Sequence, residues 1–414
     1  MSATNELAGD SQPSAELALM RSPSTIRARC HNLLGAGERG ELSHFVVDLE
    51  RLRETARFTA QITRERYPTL AIPPHSRFGH FAAGGVSRLA ELERDLVRLD
   101  ARERARSLVD VVVVSVLLDA GAGPAWRYHE SSTGLSIGRS EGLAVASLAW
   151  VKEGGLSSRG RAYEVDAEGL AQVTTERLSR AFQVRGDNPL VGVAGRVHLL
   201  QALGAVIARR SDVFTRGKRL GALVDCLAAQ ASGGVLRAEL ILKSLLDALS
   251  EIWPGRLSLD GAPLGDVWHH PQAGGEGATS GLLPLHKLSQ WLSYSLLHPL
   301  EVAGLTVVEL GALTGLAEYR NGGLLLDMGV ITPRDPDALS RAHEVSSELV
   351  VEWRGLTVAL LDRLAPLVCH ELGKELTLAA ILEGGTWAAG RACAQKLRAD
   401  GGPPLRIDSD GTVF

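Results

Sequence analysis

The chain has 414 residues, of which 45% are hydrophobic and 22% are charged, and its formal net charge is −4. This length suffices for one large domain or two tightly packed ones, and the apolar content is too high for a disordered chain. Lysines and arginines are spread over the whole sequence without a long basic block, which argues against a nucleic-acid partner.

The cysteines and the first residues bear on the cellular compartment. Cys30, Cys226, Cys369 and Cys393 are far apart, without the spacing of a zinc site or of a disulfide framework. The N-terminus lacks a basic segment followed by an apolar one, and the most apolar run, residues 109–118, is too short to cross a bilayer. We therefore expect a cytoplasmic protein with reduced thiols and no membrane association.

The first half of the chain begins with a polar segment and continues with helices. Residues 1–21 are mostly small and polar and predict a flexible tail, and residues 22–25 supply capping groups for a helix. Residues 90–120 combine leucines at helical spacing with a valine run. Residues 111–114 would also suit a buried strand, but their continuity with the charged helical stretch favours a helix. Further core helices are expected over residues 199–208 and 236–252.

The second half contains one long connection before its helices. Residues 253–281 are rich in Gly and Pro, and long ordered connections in compact proteins are often functional. Leucines at helical spacing over residues 285–296 predict a core helix. The sequence predicts a mainly α fold with Gly-rich loops and at most a small β element. It forms either one domain over residues 22–414 or two packed lobes that meet near residues 253–283.

Two capping patterns predict where the next helices begin. Thr306 and Glu309 form a capping-box pattern ahead of an apolar stretch, which predicts a helix that ends near Asn321-Gly322-Gly323. The pair Asp335-Pro336 predicts the start of a long helix that reaches about Leu364.

Two clusters place polar side chains beside proline or glycine, where the backbone is stiff or can approach a ligand closely. Arg77 and His80 follow a Pro-Pro pair. The arginine can hold a phosphate or carboxylate through paired donors, or it can bond carbonyl groups within a tight loop. Arg139 and Glu141 lie between glycines and suit an anion site at a helix N-terminus, whereas Glu141 also fits the first turn of the next helix as a structural acid.

A third cluster, residues 316–331, carries charged side chains within apolar runs. Burial of Glu318, Arg320 and Asp327 is costly unless each charge is paired. Glu318 and Arg320 could form a structural ion pair. Alternatively, Glu318 or Asp327 is an acid, a base or a cation stabiliser in an active site.

Several segments resemble one known family. They are residues 67–70 (Tyr-Pro-Thr-Leu), 73–78 (Pro-Pro-His-Ser-Arg-Phe), 138–143 (Gly-Arg-Ser-Glu-Gly-Leu), 318–323 (Glu-Tyr-Arg-Asn-Gly-Gly), 383–387 (Glu-Gly-Gly-Thr-Trp) and 410–414 (Asp-Gly-Thr-Val-Phe). Together they resemble the URC-type uracil catabolism protein 4 family, a domain-of-unknown-function family, over residues 22–414. The resemblance implies a role in degrading uracil through a nucleotide-level route that releases urea.

A second resemblance rests on fewer residues. The stretch 317–320 (Ala-Glu-Tyr-Arg) resembles the Ala-Asp-Tyr-Arg stretch of queuosine-salvage nucleotide N-glycosidases, whose helical fold is related to DNA glycosylases. The stretch 287–290 (Lys-Leu-Ser-Gln) resembles a Lys-x-Ala-Gln stretch on their preceding helix. This resemblance implies a similar architecture and places Glu318 where that family has an acid near the scissile bond. Ser295 stands where that family has a second aspartate, so recognition of the base differs.

We therefore expect an enzyme that hydrolyses the N-glycosidic bond of a ribosylurea-type nucleotide to urea and ribose phosphate. Cleavage of the C1′–N bond builds positive charge on the sugar, which a nearby carboxylate stabilises. Glu318 is the expected catalytic residue, and Asp327 is the second candidate. The expected contacts to this small-molecule substrate are Arg77, Arg139 and Arg320 for the phosphate, His80 or Glu141 for the urea, and Trp387.

The pocket hypothesis is that Arg77, Arg139, Glu141 and Glu318 converge on one site. No cofactor and no metal are expected, because the pair His269-His270 has no further ligand nearby at metal spacing. One alternative is a metal-dependent amidohydrolase that uses this pair on a ureido intermediate. The other is a non-catalytic subunit that binds a pyrimidine intermediate or a pathway partner.

Overall fold

The computed structural model describes residues 14–253 and 257–408. Helices dominate these residues, which confirms the prediction of a mainly α fold. The helices of the first half are α1 Ala15–Met20, α2 Pro23–Glu38, α3 Arg51–Arg66, α4 Arg77–His80, α5 Arg88–Asp95, α6 Ala101–Leu117, α7 Arg139–Lys152, α8 Ala167–Ala171, α9 Thr175–Ala181 and α10 Val193–Arg209. Those of the second half are α11 Leu223–Ala229, α12 Ala238–Leu249, α13 Lys287–Ser295, α14 Leu297–Val302, α15 Tyr319–Asp327, α16 Glu348–Leu372, α17 Leu378–Ile381 and α18 Trp387–Leu397.

The β structure consists of short strands that associate in pairs. The strands are β1 Phe45–Val47, β2 Arg127–Glu130, β3 Leu135–Gly138, β4 Val235–Arg237, β5 Ser258–Leu259, β6 Ala262–Pro263, β7 Val267–His269, β8 Leu282–Pro284, β9 Thr306–Val308, β10 Ile331–Pro333, β11 Ala342–Glu344 and β12 Arg406–Asp408. The pairs β1–β10, β2–β3, β5–β6 and β7–β8 are antiparallel, and β4–β9 and β11–β12 are parallel. Three pairs, β1–β10, β4–β9 and β11–β12, connect segments that are distant in sequence. They hold these segments together but do not assemble into a larger sheet.

The apolar core extends through the whole helical body. The valines of residues 111–114 are fully buried within α6, so the helix and not the alternative strand is confirmed there. The long helix α16 packs against α2 and α3. A single connected core contains residues from Ile26 to Leu405, including Trp268 and Ala273 from the long connection. That connection is therefore part of the core and not a linker that passes over it.

The predicted flexible tail is wrong for residues 14–21. Helix α1 forms there, and Ser14 caps it by accepting the backbone N–H of Leu17 at 3.2 Å. Leu17 and Met20 are buried in a small second cluster with residues of the segment 259–267. Residues 1–13 lie outside the described part of the chain, as does the motif at residues 410–414.

The helix predicted from the capping-box pattern is also wrong. Residues 306–308 form strand β9, and Glu309 has a left-handed backbone with φ 57°. A helix begins only at Tyr319, so Asn321 lies in its first turn, where the pattern predicted a helix end. Pairing of β9 with the distant strand β4 prevails over the local capping preference.

Two further helix boundaries differ from the prediction. The stretch 90–120 contains two helices, because Asp100 caps a new helix by accepting the backbone N–H of Glu103 at 2.8 Å. The pair Asp335-Pro336 opens only a short 3₁₀ turn over residues 336–339, and α16 begins nine residues beyond that turn, at Glu348.

Within residues 14–253 and 257–408, none of the helices combines the length and apolar character needed to cross a membrane.

Candidate functional site

A cavity of about 620 Å³ lies where the ends of several helices meet. Its wall combines residues just before and within α4, the end of α6, the first residues of α7, α13, α15 and α18, and the segment 400–408. The charged and polar side chains along it are His75, His80, Asp119, Arg139, Ser140, Lys287, Glu318, Tyr319, Arg320, Asp400 and Asp408, and the indoles are Trp291 and Trp387. Five predicted site residues, His80, Arg139, Glu318, Arg320 and Trp387, therefore share this cavity.

Glu318 caps the first turn of α15 from the cavity wall. Its Oε1 accepts the backbone N–H of Asn321 at 2.6 Å, and its Oε2 accepts that of Arg320 at 2.8 Å. Burial raises the pKa of Glu318, although the two backbone N–H groups and the charge of Lys287 oppose the increase. The structural alternative, an ion pair between Glu318 and Arg320, does not form, because the carboxylate binds the backbone of Arg320 and not its guanidinium.

Lys287, at the start of α13, is a cavity residue that the sequence analysis did not select. Arg354 donates to both carboxylate oxygens of Asp266 at 2.8 Å each, and Asp266 accepts the backbone N–H of Lys287 at 2.9 Å. Among the described residues, the Lys287 Nζ has no hydrogen-bond acceptor and lies 5.7 Å from the Trp291 ring centroid. Burial lowers the pKa of Lys287, while Asp119 and Glu318 favour its charged form.

Arg77 lies behind the cavity wall and does not line it. It is completely buried and donates to Ser115 Oγ at 2.7 Å and to Ser140 Oγ at 2.9 Å. It also pairs with Asp119 Oδ1 at 2.9 Å and donates to His80 Nδ1 at 3.1 Å. The predicted role of Arg77 in holding phosphate is therefore not supported by its position, which makes it the anchor of three cavity residues.

The charge of Arg77 fixes the protonation of its neighbours. Burial and the Arg77 charge lower the pKa of His80 to about 4, so this ring is neutral near pH 7. Burial would raise the pKa of Asp119, but the charges of Arg77 and Lys287 help to hold the pKa below its ordinary value. Asp119 is therefore an ionised carboxylate on the cavity wall.

His75 and Glu383 form a second pair that the sequence analysis missed. His75 Nδ1 lies 2.7 Å from Glu383 Oε2, and the Tyr67 hydroxyl donates to Glu383 Oε1 at 3.2 Å. Glu383 lies in a π-helical turn over residues 382–386, immediately before α18. Such turns are frequent at functional sites. The pair joins two of the segments that carry the family resemblance, which was the available indication in the sequence.

Glu141 does not line the cavity. It lies in the first turn of α7, as its structural alternative predicted, and binds Arg391 Nη1 at 2.5 Å. The Arg391 guanidinium lies 5.4 Å from the ring centroid of Trp387, which does line the cavity. Of the four residues expected to converge, Arg139 and Glu318 thus share the wall, and Arg77 and Glu141 hold residues of that wall from behind.

Arg139 and Arg320 bind the C-terminal segment that covers one side of the cavity. Arg139 Nη2 donates to the Asp400 carbonyl at 2.5 Å, and Arg320 Nη1 donates to the Gly401 carbonyl at 2.9 Å. Arg139 has a left-handed backbone with φ 55°, a conformation that costs free energy in a residue with a side chain. Because each guanidinium already donates to a backbone carbonyl, an anion can bind only to the N–H groups that are not used in this way.

Asp327 is placed away from the cavity wall. It accepts from Arg398 Nη1 at 2.8 Å and from Nη2 at 2.6 Å, a bidentate pair that fastens α15 to the end of α18. This arrangement gives Asp327 a structural partner and does not support its proposed catalytic role.

The two neighbouring histidines separate in the structure. His269 is exposed, whereas His270 is buried and its Nε2 lies 3.3 Å from Glu352 Oε2. His270, Glu348 and Glu352 are close enough to surround an ion. However, His270 Nδ1 accepts the backbone N–H of Gln272 at 3.1 Å, so Nε2 carries the hydrogen and has no free electron pair for a metal. This pattern favours a hydrogen-bonded structural cluster.

Comparison with known proteins identifies full-length relatives. Protein urg3 of Schizosaccharomyces pombe is 40% identical over 413 residues, which cover 96% of this chain and 99% of that protein. Uracil catabolism protein 4 of Lachancea kluyveri is 38% identical over 409 residues, which cover 91% and 93% of the two chains. These matches confirm the resemblance to the uracil catabolism protein 4 family. Residues 19–414 match the family described as protein of unknown function (DUF1688), and the chain belongs to that family.

Proposed function

We propose that the protein acts in uracil catabolism and hydrolyses the N-glycosidic bond of a ribosylurea-type nucleotide, giving urea and ribose phosphate. The pathway is supported by the name of the Lachancea kluyveri relative, uracil catabolism protein 4. The observation that carries the reaction is the buried carboxylate of Glu318, which is held rigidly on the wall of a cavity that also presents cationic side chains.

The proposed reaction exchanges one bond at C1′ for another. Water adds its oxygen to C1′ and gives up one proton, the C1′–N bond breaks with its electron pair on nitrogen, and the nitrogen takes up one proton to leave as urea. One water molecule is thus consumed for each bond that is cleaved. Positive charge develops on the sugar before the new bond is complete. An ionised Glu318 stabilises that charge and orients the attacking water, because its two oxygens are already fixed by backbone N–H groups.

Lys287 supports this role of Glu318. Its charge opposes the effect of burial on the Glu318 pKa and so favours the ionised form that stabilises a sugar cation. The ammonium group also has unused donors on the cavity side, which suit a sugar hydroxyl or phosphate oxygen. Glu318 and Lys287 therefore influence each other electrostatically but are not joined in a short ion pair. Both charges remain available to the substrate.

The phosphate is proposed to bind at the Arg139 side of the cavity. Arg139 is half-buried, whereas Arg320 is almost completely buried and its Nε has no partner within the described residues. A phosphate can reach the more exposed guanidinium while keeping part of its hydration, and bidentate binding suits this ion.

The test is direct turnover by the purified protein. Synthetic ribosylurea 5-phosphate is incubated with the protein, and free urea and the reducing sugar are measured in parallel. Equal amounts of the two products are expected. Ammonia in place of urea would identify an amidohydrolase acting on the ureido group, and binding without turnover would identify a non-catalytic subunit; either result contradicts the proposal.

A further inference from the structure

We infer that His75, His80, Trp291 and Trp387 form a subsite for a planar ureido group. In this subsite, His80 donates a hydrogen bond to the carbonyl oxygen, and His75 accepts one from a neighbouring N–H group. The inference rests on the proposed function, since the ureido group is the leaving part of the proposed substrate. It names the residues that recognise the ureido group, and two of them, His75 and Trp291, were not predicted from the sequence.

The hydrogen-bond pattern fixes His80 as a donor. Its Nδ1 lies 3.1 Å from Arg77 Nη1, and a guanidinium can only donate. Nδ1 therefore accepts, and the hydrogen of the neutral ring is on Nε2. The Ser140 hydroxyl, 2.9 Å from the same Nδ1, is compatible with this tautomer. Within the described residues Nε2 has no acceptor, although His80 is only 8% exposed and lines the cavity.

The pattern at His75 is the opposite. Its Nδ1 lies 2.7 Å from a carboxylate oxygen of Glu383. Burial would raise the Glu383 pKa, but the hydrogen bond with His75 and the nearby charge of Arg66 help to hold the pKa below its ordinary value. The carboxylate therefore accepts from Nδ1–H, and in this tautomer Nε2 carries the electron pair. Among the described residues this nitrogen has no donor.

The aromatic surroundings select a flat ligand. The His75 ring stacks on Trp291 at 5.9 Å with an interplanar angle of 18°. The His80 ring lies 5.4 Å from Trp291 and 5.6 Å from Trp387. The two imidazole centroids are 6.2 Å apart, which leaves room for adjacent atoms of one planar group to make two hydrogen bonds of ~2.9 Å.

A donor nitrogen beside an acceptor nitrogen matches a C=O group beside an N–H group. Ureides present this pair, and so does an edge of intact uracil. Both nitrogens belong to side chains that line the cavity, and a ligand with this pair would make one hydrogen bond to each of them. We assign the subsite to a ureide because the proposed reaction releases urea, and the experiment separates the two sources.

The test compares ligands that carry one part of the substrate each. Dissociation constants of N-methylurea, uracil and ribose 5-phosphate are measured by NMR titration for wild type, His75→Phe and His80→Phe. The control is His343→Phe, a buried histidine outside the cavity whose Nε2 bonds the Ala338 carbonyl at 2.7 Å. We expect each cavity variant to weaken N-methylurea binding roughly 3- to 10-fold and to leave ribose 5-phosphate binding unchanged. The control variant should bind all three ligands like wild type.

Two results would overturn the subsite: N-methylurea binding that is the same in wild type and both cavity variants, or uracil binding that is tighter than N-methylurea binding and depends on the same histidines. If a phenylalanine variant does not fold, the ¹⁵N shifts of both Nε2 atoms in wild-type protein on addition of N-methylurea decide the question. If N-methylurea binds as expected but ribosylurea 5-phosphate is not cleaved, the subsite is supported and the proposed glycosidase reaction is refuted. If ribosylurea 5-phosphate is cleaved but N-methylurea binds equally well to wild type and both histidine variants, the subsite is refuted and the proposed reaction is not.

Discussion

Replacement of Glu318 by glutamine tests the catalytic carboxylate most directly. Glu318→Gln preserves the shape of the side chain and one oxygen for the backbone N–H of Asn321 or Arg320. Its amide nitrogen cannot accept the other N–H, so one capping bond is lost. Loss of a helix cap costs about 1 kcal/mol of stability, whereas loss of one electrostatic contact to a transition state costs ~10²–10³ in rate, or about 3–4 kcal/mol.

The two costs are separated by a matched control. Asp166 caps α8 in a similar way, since its two oxygens accept the backbone N–H groups of Gly169 and Ser158 at 2.8 Å each. It is buried and lies outside the cavity. Asp166→Asn and Glu318→Gln should both lower the melting temperature by a few degrees. Only Glu318→Gln should reduce kcat by the larger factor, with a much smaller change in substrate affinity, because the ground-state sugar carries little charge.

The assay is urea release from ribosylurea 5-phosphate at a temperature at which all three proteins are folded, with substrate affinity measured separately. A Glu318→Gln protein that melts lower but keeps kcat within about threefold of wild type would refute the reasoning. In that case the carboxylate would be a helix cap whose position on the cavity wall has no consequence for turnover.

The remaining predictions concern the pH profile, the charge of Lys287 and the ion pair between Asp327 and Arg398. Because only the ionised Glu318 stabilises a cation, kcat should increase with pH through its raised pKa, as a pH–rate profile of wild type would show. Lys287→Gln removes the charge that opposes this increase in pKa, so the rising limb should move to higher pH; an unmoved limb would contradict the coupling. Asp327→Asn should weaken the bidentate pair with Arg398, lowering the melting temperature while kcat stays within a few-fold of wild type, and a 100-fold loss would restore its catalytic role.

Local patterns predicted the helices whose apolar face is continuous. The leucines at 285–296 and the valines at 111–114 lie in α13 and α6, because burial of one apolar face or of the whole helix agrees with the local backbone preference. The capping pattern at Thr306 failed because this residue pairs with Val235 across the fold. The sequence around β4 and β9 contains no pattern that predicts their pairing.

The glycines after Glu318 misled for a different reason. Gly322 was taken to be near the end of a helix, yet it lies inside α15. A Cβ atom built at this position would be 2.7 Å from the Trp353 ring. The glycine is therefore required by close approach of α16 and not by a helix end. A glycine at a helix end and a glycine at a close helix contact look the same in the sequence, so the sequence alone cannot distinguish these two roles.

The sequence analysis selected cavity residues where the pattern is local and missed those whose position depends on pairing with distant residues. Glu318, Arg139 and His80 were selected because each sits next to prolines, glycines or an apolar run. His75 gains its orientation from Glu383, which lies far along the chain, and Lys287 gains its position from Asp266 and Arg354. The same dependence explains why Arg77 was misjudged, as its donors are used by side chains from three other segments.

The cavity owes its geometry to the packing of helix ends. Glu318 lies at the N-terminus of α15, where the helix dipole and two backbone N–H groups favour a negative charge, so the feature that fixes the carboxylate also opposes its protonation. The neighbouring α18 can approach this end only because Gly390 has no side chain; a Cβ atom there would lie 2.1 Å from the Arg320 carbonyl oxygen. Trp387, at the start of α18, thereby lines the same cavity as Glu318, and Glu383, just before α18, reaches His75 on that wall. Preorganisation of the proposed acid residue and of the ureido subsite is thus a single consequence of how α15 and α18 pack.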